Sequence, residues 1–154
     1  MTASEIAETY TWNIVVNRWL ATWIDLILLI LFLLGPSVAL GDEFYRNTSG
    51  IWIALVCLYY PVCEGYNGTT VGKLIAGIRV VDNDLNPPGI QKALIRTALR
   101  LVEVNPVLLG GIPAALFVLN SKHKQRLGDR LADTFVLRVK DIEKAMMDQS
   151  QTNE

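Results

Sequence analysis

Charged residues are scarce in this sequence, and those present are unevenly distributed. Asp, Glu, Lys and Arg make up 19% of the 154 residues, below the quarter or so that soluble domains carry. Three long stretches contain a single acidic residue each, namely 19–41 (Asp25), 47–72 (Glu64) and 101–121 (Glu103). A soluble core of this size has no need of such stretches, so the composition favours an integral membrane protein.

Residues that commonly carry chemistry are also few. The two cysteines lie six residues apart in one apolar stretch, a spacing that suits neither a disulfide nor a metal pair, and His123 has no second ligand at metal spacing. Gly68–Lys73 is not a phosphate-binding loop, because three residues rather than four separate its glycines and Leu74 follows the lysine. We therefore expect no enzyme, no metal, no cofactor and no nucleic-acid partner.

Long apolar runs predict where the chain enters a membrane. A helix needs about 20 mostly apolar residues to cross the hydrocarbon core. The first candidate runs from about residue 13 to residue 34, where Gly35-Pro36 is expected to end it, and the second runs from about residue 50 to residue 66. The expected fold is thus an all-α membrane protein with about three membrane-embedded helical segments.

The third segment is less regular than the first two. Residues 90–104 have a helical period with basic side chains on one side, which is typical of an interfacial helix. Asn105-Pro106 interrupts the pattern, and a short apolar piece follows over 107–119. This segment either crosses the membrane or turns back as a broken, re-entrant hairpin.

The distribution of basic residues predicts the orientation. The 73–100 and 122–140 segments are both rich in Lys and Arg, so the positive-inside rule places them, and the N-terminus, in the cytoplasm. Two runs rich in β-branched residues, 78–81 and 134–139, predict a short cytoplasmic β pair if both lie on that side. Residues 13–139 then form the membrane domain, and 140–154 form a polar, acidic C-terminal tail, either a frayed helix or disordered.

The acidic residue within the first apolar run is the main functional candidate. A carboxylate in mid-bilayer costs on the order of 3 kcal/mol, so Asp25 is expected to face protein or water. Arg18 lies seven residues earlier, on the same helical face. One hypothesis is a proton or cation site at Asp25, with Glu103 and Glu64 as companions.

The alternative for Asp25 is a purely structural ion pair. Arg18, Arg96 or Arg100 would neutralise its carboxylate and hold the helices together. The spacing of these residues favours neither hypothesis.

Three elements of the sequence follow defined motif patterns. Arg18–Asp25 matches R-x-x-A-x-x-I-D, Gly68–Lys73 with Gly77–Asp82 matches G-x-T-x-G-K…G-x-R-V-V-D, and Gly128–Thr134 contains D-x-x-A-x-T. Together these elements resemble the motifs of the RDD family of small bacterial membrane proteins. The resemblance covers residues 13 to 139. Within the last element, the family's usual glycine before the final threonine is Asp133 here.

The resemblance implies which residues matter. The family is named for one arginine and two aspartates, which correspond to Arg18, Asp25 and Asp129, while Gly72, Lys73 and Thr134 match other motif positions. With the start of the first span and Asp129 both on the cytoplasmic side, we expect Arg18 to contact Asp129.

The resemblance and the intramembrane charges leave two functional interpretations. Cation/proton antiport has been proposed for some family members, and here it would use Asp25 in a multi-pass protein of the bacterial inner membrane. Because three segments can hardly enclose a path, this interpretation implies a homo-oligomer. The alternative is a non-catalytic membrane scaffold whose basic face binds anionic lipids or a cytoplasmic partner.

Overall fold

The computed structural model describes residues 2–10, 12–103 and 124–152, except for the side chains of 101–103, 149, 151 and 152. The described chain is mostly helical and contains a two-stranded sheet. Its helices are α1 (Ala3–Glu8), α2 (Trp12–Leu40), α3 (Asp42–Asn67), α4 (Val71–Ile75), α5 (Gly89–Glu103), α6 (Leu127–Leu131) and α7 (Val139–Thr152), and its strands are β1 (Ile78–Val81) and β2 (Phe135–Arg138).

The two longest helices form an antiparallel hairpin. A single residue, Gly41, separates α2 from α3, and its φ of +88° is a conformation that favours glycine. The rings of Phe32 and Trp52 lie 5.4 Å apart, and Tyr59 contacts Asp25 further down the pair. Residues later in α3 therefore lie beside residues earlier in α2.

The expected end of the first apolar helix at Gly35-Pro36 is wrong. Helix α2 continues through Pro36 to Leu40, since a proline close to the C-terminus of a helix removes only one intrahelical hydrogen bond. Within the described residues, α2 is the one helix that is long and apolar enough to cross a membrane, and only 6% of its apolar window is buried by the rest of the chain.

The predicted β pair is confirmed. Strands β1 and β2 are antiparallel, with Ile78 opposite Arg138 and Val81 opposite Phe135. The sheet forms the centre of a small apolar core to which α1, the start of α2 and α7 also contribute; its largest fully buried apolar side chains are Ile14, Ile78, Val80, Val81 and Leu137.

Of the two alternatives expected for the C-terminal tail, a frayed helix or disorder, the structure has a helix, α7, through Thr152. Ile142 and Ala145 of α7 are buried in the core around the sheet. The hydroxyl of Tyr10 donates to Asp141 at 2.6 Å and accepts the backbone N–H of Arg138 at 2.9 Å. This helix is amphipathic, and its apolar face is so narrow that the composition of the segment is polar overall.

Helix α5 turns its basic face inwards and its apolar face outwards. Arg96 is buried, whereas Leu94 and Ile95 are about half exposed. In α4, Leu74 and Ile75 are also exposed. The predicted helical period of residues 90–104 matches α5, but the basic side of the helix meets buried carboxylates, whereas an interfacial helix would turn that side towards lipid headgroups.

Part of the third predicted segment cannot be compared with the structure. The apolar piece 107–119 and the turn at Asn105-Pro106 lie outside the described residues, and so does the side chain of Glu103.

Candidate functional site

Two buried carboxylates are joined by one arginine at the centre of the structure. Arg96 donates from Nε to Glu64 at 3.0 Å, and from Nη1 to Asp129 and, at 2.6 Å, to the hydroxyl of Thr134. Arg18 donates from Nη2 to the other oxygen of Asp129. These ion pairs hold α2 and α5 against α6.

Glu64 has two further cationic partners. Lys73 Nζ and Arg100 Nη2 both lie 2.6 Å from its Oε1. The Arg100 guanidinium also stacks over the Tyr60 ring, 4.0 Å from its centroid. The six residues joined by these ion pairs are called the charge cluster below: Arg18, Glu64, Lys73, Arg96, Arg100 and Asp129.

The charge cluster shifts the pKa values of two members that lie outside the long helices α2 and α3, namely Asp129 and Lys73. Burial acts to raise the pKa of Asp129, but the positive charges of Arg18, Arg96 and Arg126 outweigh it and hold that pKa well below its ordinary value. Burial also lowers the pKa of Lys73 to about 7, although Glu64 opposes the change. Asp129 therefore stays ionised, whereas Lys73 titrates near neutral pH.

Asp25 has a different environment from the other two acids. It is 1% exposed and accepts three hydrogen bonds: from the Tyr59 hydroxyl at 2.8 Å, the Thr70 hydroxyl at 2.6 Å and the Gly72 backbone N–H at 2.8 Å. None of the five ion pairs in the described part of the chain involves Asp25. Asp25 and its three donors are called the Asp25 site below.

Glycine at position 72 is required by the close approach of α4 to α2. A Cβ atom there would lie 2.9 Å from Cγ of Asp25 and nearer still to the carbonyl oxygen of Ala21. Both contacts are closer than real Cβ atoms show, and a backbone carbonyl cannot rotate away. Gly72 thus allows its own N–H to reach the carboxylate.

A small cavity of about 10 Å³, with room for about one water molecule, adjoins both sites. Asp25 and Thr22 lie on its wall, together with a group of basic side chains, Arg18, Lys73, Arg96, Arg100 and Arg126. A neighbouring cavity shares Arg96, Arg100 and Arg126 with the first and is also lined by Gly128 and Asp129. Within the described residues, no cluster of His, Cys, Asp and Glu is suited to hold a metal ion.

The expected contact between Arg18 and Asp129 is confirmed. The alternative in which Arg18, Arg96 or Arg100 neutralises Asp25 is wrong, because these arginines bind Glu64 and Asp129 instead.

The matched motif residues also lie here. Gly72 contacts Asp25, Lys73 pairs with Glu64, and Thr134 accepts from Arg96.

Sequence reasoning missed Tyr59 and Thr70 as partners of Asp25. Neither residue stands out, because a tyrosine near the end of an apolar run suggests a membrane boundary and a threonine before a short helix suggests a cap. Thr70 does cap α4, accepting the N–H of Lys73 at 3.4 Å, while donating its hydroxyl proton to Asp25. The pairing of Glu64 with Arg96 and Arg100 did have a signal, since arginines four residues apart share one helical face.

The backbone conformation of Asp133 explains why the motif usually has a glycine at this position. Its φ is +49°, in the left-handed region, and its side chain is exposed. Among non-glycine residues, Asp and Asn tolerate this conformation best. The departure from the motif therefore leaves the backbone of the turn before Thr134 in place.

Comparison with known proteins gives one match. A family model described as the RDD family matches residues 14–133. No curated protein sequence and no solved structure shows a significant match to the chain.

Proposed function

Because this chain belongs to the RDD family of membrane proteins, we propose that it is a multi-pass protein of the bacterial inner membrane that couples proton movement to transport of a small cation. Asp25 is the carboxylate that binds and releases the proton. The N-terminus and the sheet lie in the cytoplasm, and the hairpin of α2 and α3 enters the bilayer.

The outward-facing apolar surface supports this placement. In a water-soluble protein, the exposed apolar residues along α2 and α3 would form a patch far larger than monomers usually show. Exposed Trp19 and Trp23 occur one turn apart near the cytoplasmic end of α2, which suits the headgroup boundary. A homo-oligomer would complete the path.

The length of α2 gives the depth of Asp25. Fifteen residues separate it from Leu40, the last residue of α2, which corresponds to about 23 Å at about 1.5 Å per residue. With the turn at Gly41 at the far surface of a hydrocarbon core about 30 Å thick, Asp25 lies roughly 7 Å inside the cytoplasmic boundary. A proton would reach it from the cytoplasm by way of the small cavity on whose wall Asp25 lies.

The observation that carries the proposal is the contrast between Asp25 and the other two buried acids. Glu64 and Asp129 are each held by at least two cationic side chains. Asp25 is equally buried, and its three donors among the described residues are all neutral. Because no ion pair of the described residues balances its charge, Asp25 is the acid for which we propose proton exchange.

The geometry at Asp25 favours a proton over a metal cation. The Tyr59 and Thr70 hydroxyls point their protons, not their lone pairs, at the carboxylate, whereas a metal ion needs oxygen lone pairs. The basic side chains on the cavity wall would also repel a second cation. The transported cation therefore binds elsewhere or at another stage of the cycle.

The test is cation-driven proton movement in inverted membrane vesicles at matched expression. Asp25→Asn removes the titratable group but keeps an acceptor for Tyr59 and Gly72, and the Thr70 hydroxyl can turn to accept from the new amide. The variant is thus expected to fold and to lose the signal. Asp42→Asn is the matched control, because Asp42 is an exposed acid at the start of α3, and it should retain the wild-type signal.

A transport rate in Asp25→Asn equal to that of the wild type would refute the role of Asp25. If neither protein gives a signal with sodium, potassium or lithium, the non-catalytic scaffold becomes the better description. The charge cluster favours that second candidate, since its ion pairs tie α2, α3, α4, α5 and α6 into one unit.

A further inference from the structure

Lys73 is the one cation of the charge cluster that can lose its proton near neutral pH. The other three cations of the cluster are arginines, whose guanidinium groups stay protonated throughout that range. Lys73 is 7% exposed, and its Nζ lies 2.6 Å from Oε1 of Glu64. Burial lowers the pKa of Lys73 to about 7, so its neutral amine form is accessible.

Glu64 does not depend on the charge of Lys73 alone. Its Oε1 also accepts from Arg100 at 2.6 Å, and its Oε2 accepts from Arg96 at 3.0 Å. A neutral amine retains N–H groups that can donate to Oε1 and gains a lone pair. Loss of a proton from Lys73 therefore leaves Glu64 paired with two arginines, and no buried carboxylate is stranded without a cation.

Helix α4 places Lys73 next to the Asp25 site. The N–H of Gly72, its neighbour in the chain, donates to Oδ1 of Asp25 at 2.8 Å. The backbone N–H of Lys73 itself donates to the hydroxyl of Thr70, which in turn donates to Asp25. Lys73 and Asp25 also line the same cavity of about 10 Å³. A polar cavity of that size can hold about one water molecule.

We propose that Lys73 is a second proton-exchange group, which passes its proton to Asp25 through a water molecule in this cavity; the inference rests on the proton-binding role proposed for Asp25. An N–H bond of the ammonium group breaks and its proton joins the water oxygen, which releases another proton to the carboxylate. Lys73 becomes a neutral amine and Asp25 a neutral acid, so the total charge is unchanged. Oδ2 takes the proton, because from the described residues it accepts one hydrogen bond and Oδ1 accepts two.

The groups around Lys73 indicate which of them exchanges a proton with it. Glu64 on α3 favours the ammonium form, whereas Arg96 and Arg100 on α5 disfavour it. The cavity wall adds charged or titratable groups from α2, α3 and the residue before α6: Arg18, Asp25, Tyr60 and Arg126. Asp25 is the acid on that wall, and none of the ion pairs among the described residues neutralises it.

The titration of Lys73 can be measured without any transport assay. In the full-length protein in detergent, labelled with carbon-13 at lysine Cε, NMR should show a signal that titrates near pH 7 and is missing from Lys73→Arg. Asp25→Asn should move the midpoint to lower pH, because it removes a negative charge that favours the ammonium form. Asp42→Asn is the matched control, since Asp42 is an exposed acid that does not line the cavity, and it should leave the midpoint unchanged.

Two results of this titration would overturn the inference. One is that every lysine signal titrates near the ordinary lysine pKa of about 10.4. The other is that Asp25→Asn leaves the midpoint of Lys73 in place. Both are read from proteins that retain Lys73, so neither depends on the folding of Lys73→Arg.

Transport assays test the transfer itself. Lys73→Arg keeps a positive charge for Glu64 but holds its proton, so it should slow cation-driven proton movement about tenfold or more and flatten its pH profile near neutrality. Lys140→Arg is the matched control, because Lys140 is exposed and does not line the cavity, and it should behave as the wild type.

The outcomes separate this inference from the proposed function. A wild-type rate and pH profile in Lys73→Arg would overturn the role of Lys73 and leave that of Asp25 standing. If the wild type transports no cation but Lys73 titrates near neutral pH and responds to Asp25→Asn, the shared proton is supported and the proposed transport is refuted.

Discussion

Replacement of Gly72 by alanine tests the packing that forms the Asp25 site. The added Cβ would lie 2.9 Å from Asp25 Cγ, whereas ordinary contacts begin at 3.4 Å, so α4 must retreat by more than 0.5 Å. That movement stretches the 2.8 Å hydrogen bond from Gly72 N to Asp25 beyond 3.3 Å, outside the usual range of about 2.7–3.2 Å. The overpacking costs about 1–3 kcal/mol, and the lost bond to a charged acceptor costs about 1.5–3 kcal/mol more.

We therefore expect Gly72→Ala to lower the free energy of unfolding by about 2.5–6 kcal/mol, measured by chemical denaturation of the purified protein in detergent. Gly35→Ala is the matched control: Gly35 lies within α2 with nothing within 4 Å of the new Cβ, so its stability should be unchanged or slightly raised. A loss below about 1 kcal/mol in Gly72→Ala would refute the close packing of α4 on α2.

Further predictions concern the charge cluster and its flanking turn. Arg18→Ala and Asp129→Ala should each destabilise the protein, by up to about 3–5 kcal/mol, and the double variant should be no worse than either alone; additive losses would argue against the pair. Arg96→Lys should cost about 3 kcal/mol because one ammonium cannot replace bonds from two guanidinium nitrogens, whereas exposed Arg130→Lys should cost almost nothing. Asp133→Gly should raise the denaturation midpoint, with a gain of about 1 kcal/mol, since glycine adopts positive φ without strain; an unchanged midpoint would contradict this. Because the native pKa of Asp129 is depressed, its contribution should be complete above its ordinary pKa of 3.8 and fall as the pH drops below that value. Asp129→Asn should therefore lose less stability than the wild type between pH 6 and pH 3.

The elements that sequence could predict were those with a local signal. The apolar run of α2, the period of α5 and the two β-branched runs each reflect constraints within a few neighbouring residues. The predicted end of α2 was wrong because a proline near the C-terminus of a helix removes only one intrahelical hydrogen bond.

The partners in the site were predicted less well than the elements, for a physical reason. Asp25 and Arg18 share a helical face, which made a pair between them or a shared role attractive. The contact of Arg18 with Asp129, 111 residues later, was expected from the topology and the motif resemblance, but the bond that Asp25 accepts from Gly72, 47 residues later, was not. Which acid meets which base depends on how α4, α5 and α6 stack around α2, and no residue spacing encodes that.

The order in which the partners of the buried acids are synthesised constrains how the chain assembles. The hairpin of α2 and α3 contains Asp25 and Glu64, but the N–H that binds Asp25 comes 47 residues after it, and Arg96 comes 32 residues after Glu64. At about 5–20 residues per second, Asp25 waits roughly 2–9 s for Gly72. During that interval both acids lack these partners, and since a charged carboxylate in the hydrocarbon core is costly, we expect the nascent hairpin to stay at the membrane surface. Chains arrested before Gly72 should consequently be easier to extract from the membrane with alkali than chains arrested after Arg100, and equal extraction would exclude this order of events.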